Sequence, residues 1–134
     1  MATILIADDS AFARRLCGAI LEASGHTVVE ARDGLEAVAM YGAAAIDVVL
    51  LDITMPEMDG LTALAEIRRR DASANVVMIS AVGQPDSAQA ALRAGARDVL
   101  PKPLRSDRLL AAIERVLQIG QATPTAIWRQ RLRA

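Results

Sequence analysis

The sequence predicts an α/β fold, a doubly wound parallel sheet of five strands with helices on both faces. Short apolar runs alternate five times with stretches of helical periodicity, the pattern of repeated βαβ units. The first run, ILIA, is continuously apolar, as expected for a strand that is covered on both faces. Right-handed crossovers then place helices on both faces of the sheet.

Each predicted strand is a run of four or five mostly apolar residues. The third run, DVVLL, is the most apolar and stops at Asp52. The fourth run ends at Ser80, and the fifth is followed by Pro101, Lys102 and Pro103. In chain order the predicted strands cover residues 4–7, 27–31, 47–51, 75–79 and 97–100.

Each predicted helix follows a capping or turn residue and stops at a break in the pattern. Ser10 can cap the first helix, and Gly25 occupies the position of a glycine that ends it. Gly60 and Pro85 precede the third and fourth helices, and Gly95 closes the fourth. In chain order the predicted helices cover residues 11–23, 35–43, 61–70, 86–94 and about 106–117.

Composition narrows the classes of function. A chain of 134 residues suits one folded unit, and a formal net charge of -1 gives no reason to expect nucleic acid or an anionic membrane as partner. The single cysteine, Cys17, excludes an intramolecular disulfide and favours a cytoplasmic setting. We see no signal peptide and no membrane span, and we expect a monomer or weak dimer.

The folded unit is expected to cover residues 1–117, and residues 118–134 have a different composition. Gly120 and Pro124 loosen this segment, and the basic stretch IWRQRLR follows. Two interpretations stay open. The segment is either a linker to an effector domain or a basic amphipathic docking element, with Trp128 and Leu132 at i, i+4 spacing.

The candidate site residues follow four of the five predicted strands. Asp8 and Asp9 end the first, Asp52 ends the third, Ser80 ends the fourth, and Lys102 lies just past the fifth. Ligands of open α/β sheets bind at the carboxyl ends of the strands, where strand order reverses. In the order 2-1-3-4-5 the first and third strands flank that point, so these five side chains would meet at one edge.

This set of residues predicts phosphoryl chemistry. Three carboxylates and one lysine leave a local charge near -2, which a hard divalent cation such as Mg²⁺ would offset. A metal and a lysine are what a transferred phosphoryl group needs, and an aspartate is a competent nucleophile. Alone, each residue is more simply read as a helix cap, a turn residue or a solvated charge; the joint arrangement is much less expected by chance.

Residues 3–117 resemble the receiver domain of bacterial two-component response regulators, a phosphoacceptor with a flavodoxin-like fold. The resemblance rests on the motifs ILIADDS, LDITMPEMDG, ISA, GA and KP, which begin at residues 4, 51, 79, 95 and 102. The short chain is similar to single-domain chemotaxis receivers, proteins of phosphorelay signal transduction that are not enzymes in the usual sense.

The resemblance implies a role for each site residue. Asp52 would take a phosphoryl group from the histidine of a sensor kinase. Asp9, Asp52 and the backbone carbonyl of Thr54 would bind Mg²⁺ directly, and Asp8 would act through a metal-bound water. Lys102 and Ser80 would contact the phosphoryl oxygens.

The resemblance also implies a switch and an output surface. The bond from Lys102 to Pro103 is expected to be cis. The surface that binds the downstream protein would lie on the fourth helix, fifth strand and fifth helix, near Gln89, Val99 and Arg108. Val99 stands where the family usually has Tyr or Phe, which leaves the usual rotation of an aromatic ring without a counterpart.

The sequence argues against two other classes of function. A phosphatase with an aspartyl-phosphate intermediate usually needs a second aspartate two residues after the nucleophile, and this chain has Thr54 there. A receiver-like module that signals without phosphorylation would not need the complete set of acidic, hydroxyl and lysine side chains.

Overall fold

A computed structural model describes residues 1–55, 57–81 and 85–121, with the backbone alone for residues 119–121. Five strands alternate with five helices, as predicted. The strands are β1 (Thr3–Ala7), β2 (Thr27–Ala31), β3 (Val48–Asp52), β4 (Val76–Ser80) and β5 (Asp98–Pro101). The helices are α1 (Ala11–Ala23), α2 (Gly34–Ala43), α3 (Gly60–Arg70), α4 (Pro85–Arg93) and α5 (Ser106–Gln121).

The strands form one parallel sheet in the order β2-β1-β3-β4-β5, which confirms the predicted fold. The register keeps the carboxyl ends of the strands close to level. Ala7 lies between Ala31 and Leu51, while Asp52 pairs with Ile79, one residue before Ser80. The residues that follow the strands therefore project from a single edge of the sheet.

Alternate residues of each strand enter one of two hydrophobic cores. On one face, Leu5, Val49 and Met78 belong to a buried cluster shared with α2, α3 and α4. On the other face, Ile6 and Leu50 belong to a cluster shared with α1 and α5. Because both faces are covered, the strands need apolar residues throughout, and polar residues are displaced to the strand ends.

Helix starts follow from local capping chemistry. The side chains of Ser10, Asp33 and Asp59 accept hydrogen bonds from backbone amides in the first turns of α1, α2 and α3. Such bonds satisfy amides that have no partner within the helix. Gly25 and Gly95 have φ of 92° and 107°, the left-handed conformation that ends a helix at low cost.

Element ends differ from the sequence predictions by small amounts. β3, β4 and β5 each begin and end one residue later than predicted, so Asp52 and Ser80 are the last residues of their strands. α5 continues to Gln121, past the predicted end at Leu117. A single glycine, here Gly120, costs a helix only about 1 kcal/mol, which is too little to end it.

Residues 122–134, which contain most of the predicted linker or docking element, lie outside the described residues. Within the described ranges, no helix is long and apolar enough to cross a membrane.

A partly buried hydrogen bond joins α2 to the residue that ends α3, and its loss should lower the stability of the fold. The Tyr41 hydroxyl donates to Asp71 Oδ2 at 2.6 Å. This bond, together with Ser73, lowers the pKa of Asp71. We expect Tyr41→Phe to lower the free energy of unfolding by about 1 kcal/mol at pH 7, measured by urea denaturation.

The pH dependence of this loss follows from the direction of the shift. Asp71 has a folded-state pKa below its unfolded value of about 3.9, so its contribution is complete above that value and is lost as pH falls through the folded pKa. The difference between wild type and Tyr41→Phe should therefore shrink in acid. An equal loss from Tyr41→Phe in an Asp71→Ala background would contradict the assignment.

Candidate functional site

The five predicted site residues meet at the carboxyl edge of the sheet. Asp8, Asp9 and Asp52 each present a carboxylate oxygen, and these oxygens all lie within 4.8 Å of one another. Lys102 contacts Asp52, and Ser80 ends the strand between them. Asp52 is 3% exposed and Asp8 is 5% exposed, so two of the three carboxylates are buried polar groups.

Asp52 is held by donors on both carboxylate oxygens. Oδ1 accepts a hydrogen bond from the Thr54 amide at 3.1 Å, and Oδ2 accepts one from Lys102 Nζ at 2.7 Å. The chain then turns so closely that a Cβ at Gly60 would lie 2.2 Å from the Asp52 carbonyl oxygen. Gly60 also donates its amide to the Ile53 carbonyl at 2.8 Å. A glycine is therefore required to close the loop under Asp52.

Lys102 reaches Asp52 from the end of β5. Its backbone amide donates to the Ser80 carbonyl at 2.8 Å, and the peptide bond to Pro103 is cis, as predicted. Burial by itself would lower the pKa of Lys102, but the hydrogen bond and charge of Asp52, with the nearby charges of Asp8 and Asp9, raise it overall. Lys102 is therefore a cation at neutral pH and the counter-charge of the carboxylates.

Asp8 is fixed at three points. Its amide donates to the Ala31 carbonyl at 3.2 Å, its Oδ1 accepts from the Ser10 amide at 2.9 Å, and its carbonyl accepts from Arg14 Nη1 at 2.6 Å. Burial raises the pKa of Asp8, and the negative charge of Asp52 adds to the shift, while the Ser10 amide opposes it. Ionised Asp8 is therefore costly unless a cation lies beside it.

The remaining predicted residues occupy the periphery of the carboxylate cluster. Ser80 is buried and donates its hydroxyl to the Ala81 carbonyl at 3.2 Å. Thr54 has an exposed side chain, and its amide is one of the two donors to Asp52.

On the predicted output surface, Gln89 and Arg108 are exposed and Val99 is partly buried against the core.

Two residues at the site were not identified from the sequence. The sequence predicts Gly60 only as the residue before the third helix and gives no sign of its contact with the Asp52 backbone. Arg14 was read as part of a helix, but its side chain turns back to the Asp8 carbonyl. Its spacing from Cys17, Gly18 and Leu21 puts Arg14 on the buried side of the helix, but no local pattern identifies Asp8 as its partner.

The donor set fits a hard divalent cation. Carboxylate and carbonyl oxygens are the ligands that Mg²⁺ takes in proteins, usually with several waters. Three ionised carboxylates and one ammonium leave an excess charge of about -2 in a largely buried site, which such an ion would offset. The arrangement can thus hold a cation beside a nucleophilic carboxylate that faces a lysine.

Comparisons with known proteins agree with this geometry. Residues 4–114 match the family described as the response regulator receiver domain. The chain is 49% identical over 115 residues to the chemotaxis protein CheY of Bacillus subtilis, which covers 85% of this chain and 96% of that protein.

Solved structures show the same fold. The receiver domain of NtrX from Brucella abortus matches with a TM-score of 0.83 and 38% identity, over 86% of this chain and 98% of that domain. The NtrX chain solved with ADP matches with a TM-score of 0.86 and 38% identity over 90% of this chain, but the chain spans only 28% of that protein. The chain therefore belongs to the response regulator receiver domain family.

Proposed function

We propose that this protein is the phosphoacceptor of a two-component signalling pathway, with Asp52 as the phosphorylated residue. The observation that carries the proposal is the 2.7 Å contact between Lys102 and a nearly buried Asp52, beside two further carboxylates. Family membership supports it, because receiver domains are signalling phosphoacceptors rather than conventional enzymes.

The residues of the site divide the work of phosphoryl transfer. A carboxylate oxygen of Asp52 attacks the phosphorus of a phosphohistidine, and the bond from phosphorus to the imidazole nitrogen breaks. The imidazole nitrogen leaves with the electron pair of that bond and takes a proton from solvent water. Lys102, which is positively charged, neutralises oxygens of the transferring group, and Ser80 donates its hydroxyl to one of them.

Asp8, Asp9 and Asp52 are the residues that would hold Mg²⁺, together with the carbonyl of Thr54. When bound, the ion supplies positive charge that offsets the negative phosphoryl oxygens. Asp8 is proposed to act through a metal-bound water, as the resemblance to receiver domains implies. Asp9 is exposed and free to supply a direct ligand.

The proposed switch runs from Ser80 to β5. The Ser80 carbonyl accepts the Lys102 amide at 2.8 Å, so a movement of Ser80 toward a phosphoryl group would pull on the end of β5. The surface around Gln89, Val99 and Arg108 is proposed to bind the downstream protein. Val99 packs partly against the core, so the change there would be a shift of backbone and helix α4 rather than rotation of a ring.

The partners are proposed from the relatives. The Bacillus subtilis protein named for chemotaxis aligns with 85% of this chain, and the alignment covers 96% of that protein. We therefore propose that this receiver acts in a chemotaxis pathway, in which a histidine kinase donates the phosphoryl group and a downstream protein is the target.

The first prediction tests the phosphoacceptor itself. Phosphoramidate contains the P–N bond of a phosphohistidine and serves as donor without a kinase. We expect wild type to gain one phosphoryl group with Mg²⁺ and almost none with EDTA, measured by intact mass spectrometry. Asp52→Asn should gain none, because an amide oxygen is a poor nucleophile.

Asp59→Asn is the matched control for this experiment. Asp59 is a neighbouring aspartate that caps α3, and asparagine caps a helix equally well. Labelling of Asp59→Asn should equal that of wild type. Undiminished labelling of Asp52→Asn, or an unlabelled wild type with Mg²⁺, would rule out the proposed function.

Another prediction concerns the free energy of unfolding that the protein loses by holding three carboxylates close together. Asp8→Asn removes a buried charge and keeps an oxygen for the Ser10 amide. In metal-free buffer at pH 7 we expect it to raise the free energy of unfolding by about 1 kcal/mol, measured by urea denaturation. Glu22→Gln, an exposed substitution on α1, should change it by less than about 0.5 kcal/mol.

The sign of the pH dependence follows from the raised pKa of Asp8. The folded protein binds this proton more tightly than the unfolded chain, so wild type loses stability as pH rises from about 3.9 through the folded pKa. The advantage of Asp8→Asn should therefore narrow as the pH is lowered toward 4. An Asp8→Asn variant that is less stable than wild type at pH 7 would contradict this account of the site.

A further inference from the structure

Arg14 connects three elements behind the acidic turn. Its side chain is 12% exposed, which is unusual for an arginine on the first turn of a helix. Nη1 donates to the Asp8 carbonyl at 2.6 Å, and Nε lies 3.1 Å from Glu30 Oε1. One guanidinium thus ties α1 both to the end of β1 and to β2.

The bonded carbonyl belongs to the peptide unit that joins Asp8 to Asp9. A peptide unit is planar from one Cα to the next, so fixing its oxygen helps to fix the Asp9 Cα from which the side chain leaves the backbone. The Asp9 carboxylate is exposed and accepts no hydrogen bond from any residue in the described ranges. Its position near Asp8 and Asp52 is therefore set by the backbone rather than by contacts of its own.

We propose that Arg14, held in place by Glu30, is a positioning residue for the cation site. It fixes the Asp8–Asp9 peptide so that the Asp9 carboxylate stays close to Asp8 and Asp52 before an ion binds. The inference rests on the proposed metal-dependent function of the same site. It assigns to Arg14 and Glu30 a task that the site residues themselves do not perform.

Repulsion explains why such a residue is needed. The three carboxylates repel one another, and Asp9 is the exposed one that is free to turn away into water. A rigid planar guanidinium with several donors restrains the turn and its partner Glu30 at the same time. Loss of residues that orient metal ligands typically lowers metal affinity by about 10- to 100-fold.

The test is a Mg²⁺ titration followed by amide NMR shifts, which reports both the dissociation constant and the fold. We expect Arg14→Met to raise the Kd by about 10-fold or more, because methionine fills similar space without donors. Arg14→Lys should recover part of the affinity, since an ammonium can reach one acceptor. Arg15→Met, which alters the exposed neighbouring arginine, should stay within about twofold of wild type.

Glu30→Gln keeps the proposal testable if Arg14→Met does not fold, since Glu30 is 43% exposed. It should weaken Mg²⁺ binding in the wild-type background, and a wild-type Kd for Glu30→Gln would contradict its role. Where Arg14→Met folds, Glu30→Gln should have no further effect in that background, because Glu30 acts only through Arg14. A folded Arg14→Met with wild-type Kd, or an equal loss in Arg15→Met, would overturn the inference. Absence of saturable Mg²⁺ binding in wild type would instead contradict the proposed function.

Discussion

Repulsion among three carboxylates at one sheet edge is the constraint on which the rest of the site depends. Asp8, Asp9 and Asp52 lie within 4.8 Å of one another, and a single ammonium, Lys102, faces them. A protein selected for stability alone would not gather these charges, since burial already raises the pKa of Asp8. The excess negative charge is what the proposed binding of a cation, and then of a phosphoryl group beside it, would offset.

The fold supplies the rigidity that holds this cluster together. Both faces of the sheet are covered by helices, so the strand interiors are apolar and the polar residues lie at the ends. Asp52 and Ser80 are the last residues of adjacent strands, and Lys102 follows the next one. The backbone hydrogen bond from the Lys102 amide to the Ser80 carbonyl links the residue that carries the counter-charge to the residue that carries the hydroxyl, and it connects the carboxylate cluster to β5.

Much of this arrangement could be predicted from the sequence, because it depends on strand ends. Asp8, Asp9, Asp52, Ser80 and Lys102 were identified from polar residues that follow apolar runs, and the structure brings them together. The predicted ends of β3, β4 and β5 are one residue too early. A polar residue at the end of a parallel strand can still continue the ladder of hydrogen bonds, as Asp52 does.

The contacts that the sequence did not predict are those between distant segments. Arg14 pairs with Glu30, 16 residues away, and Gly60 approaches the carbonyl of Asp52 through a loop whose path no local pattern specifies. The helix α5 also extends further than expected, since a single glycine costs a helix only about 1 kcal/mol. Such contacts follow from the assembled fold and not from the periodicity of any one element.

Whether the three carboxylates form one cation site, as proposed, is tested most directly by anomalous diffraction from crystals grown with Mn²⁺. Manganese prefers the same oxygen ligands as magnesium and is visible by its anomalous scattering. The expected result is one strong peak at about 2.0–2.3 Å from carboxylate oxygens of Asp9 and Asp52. Peaks confined to other acidic residues, or none at this edge of the sheet, would contradict the account.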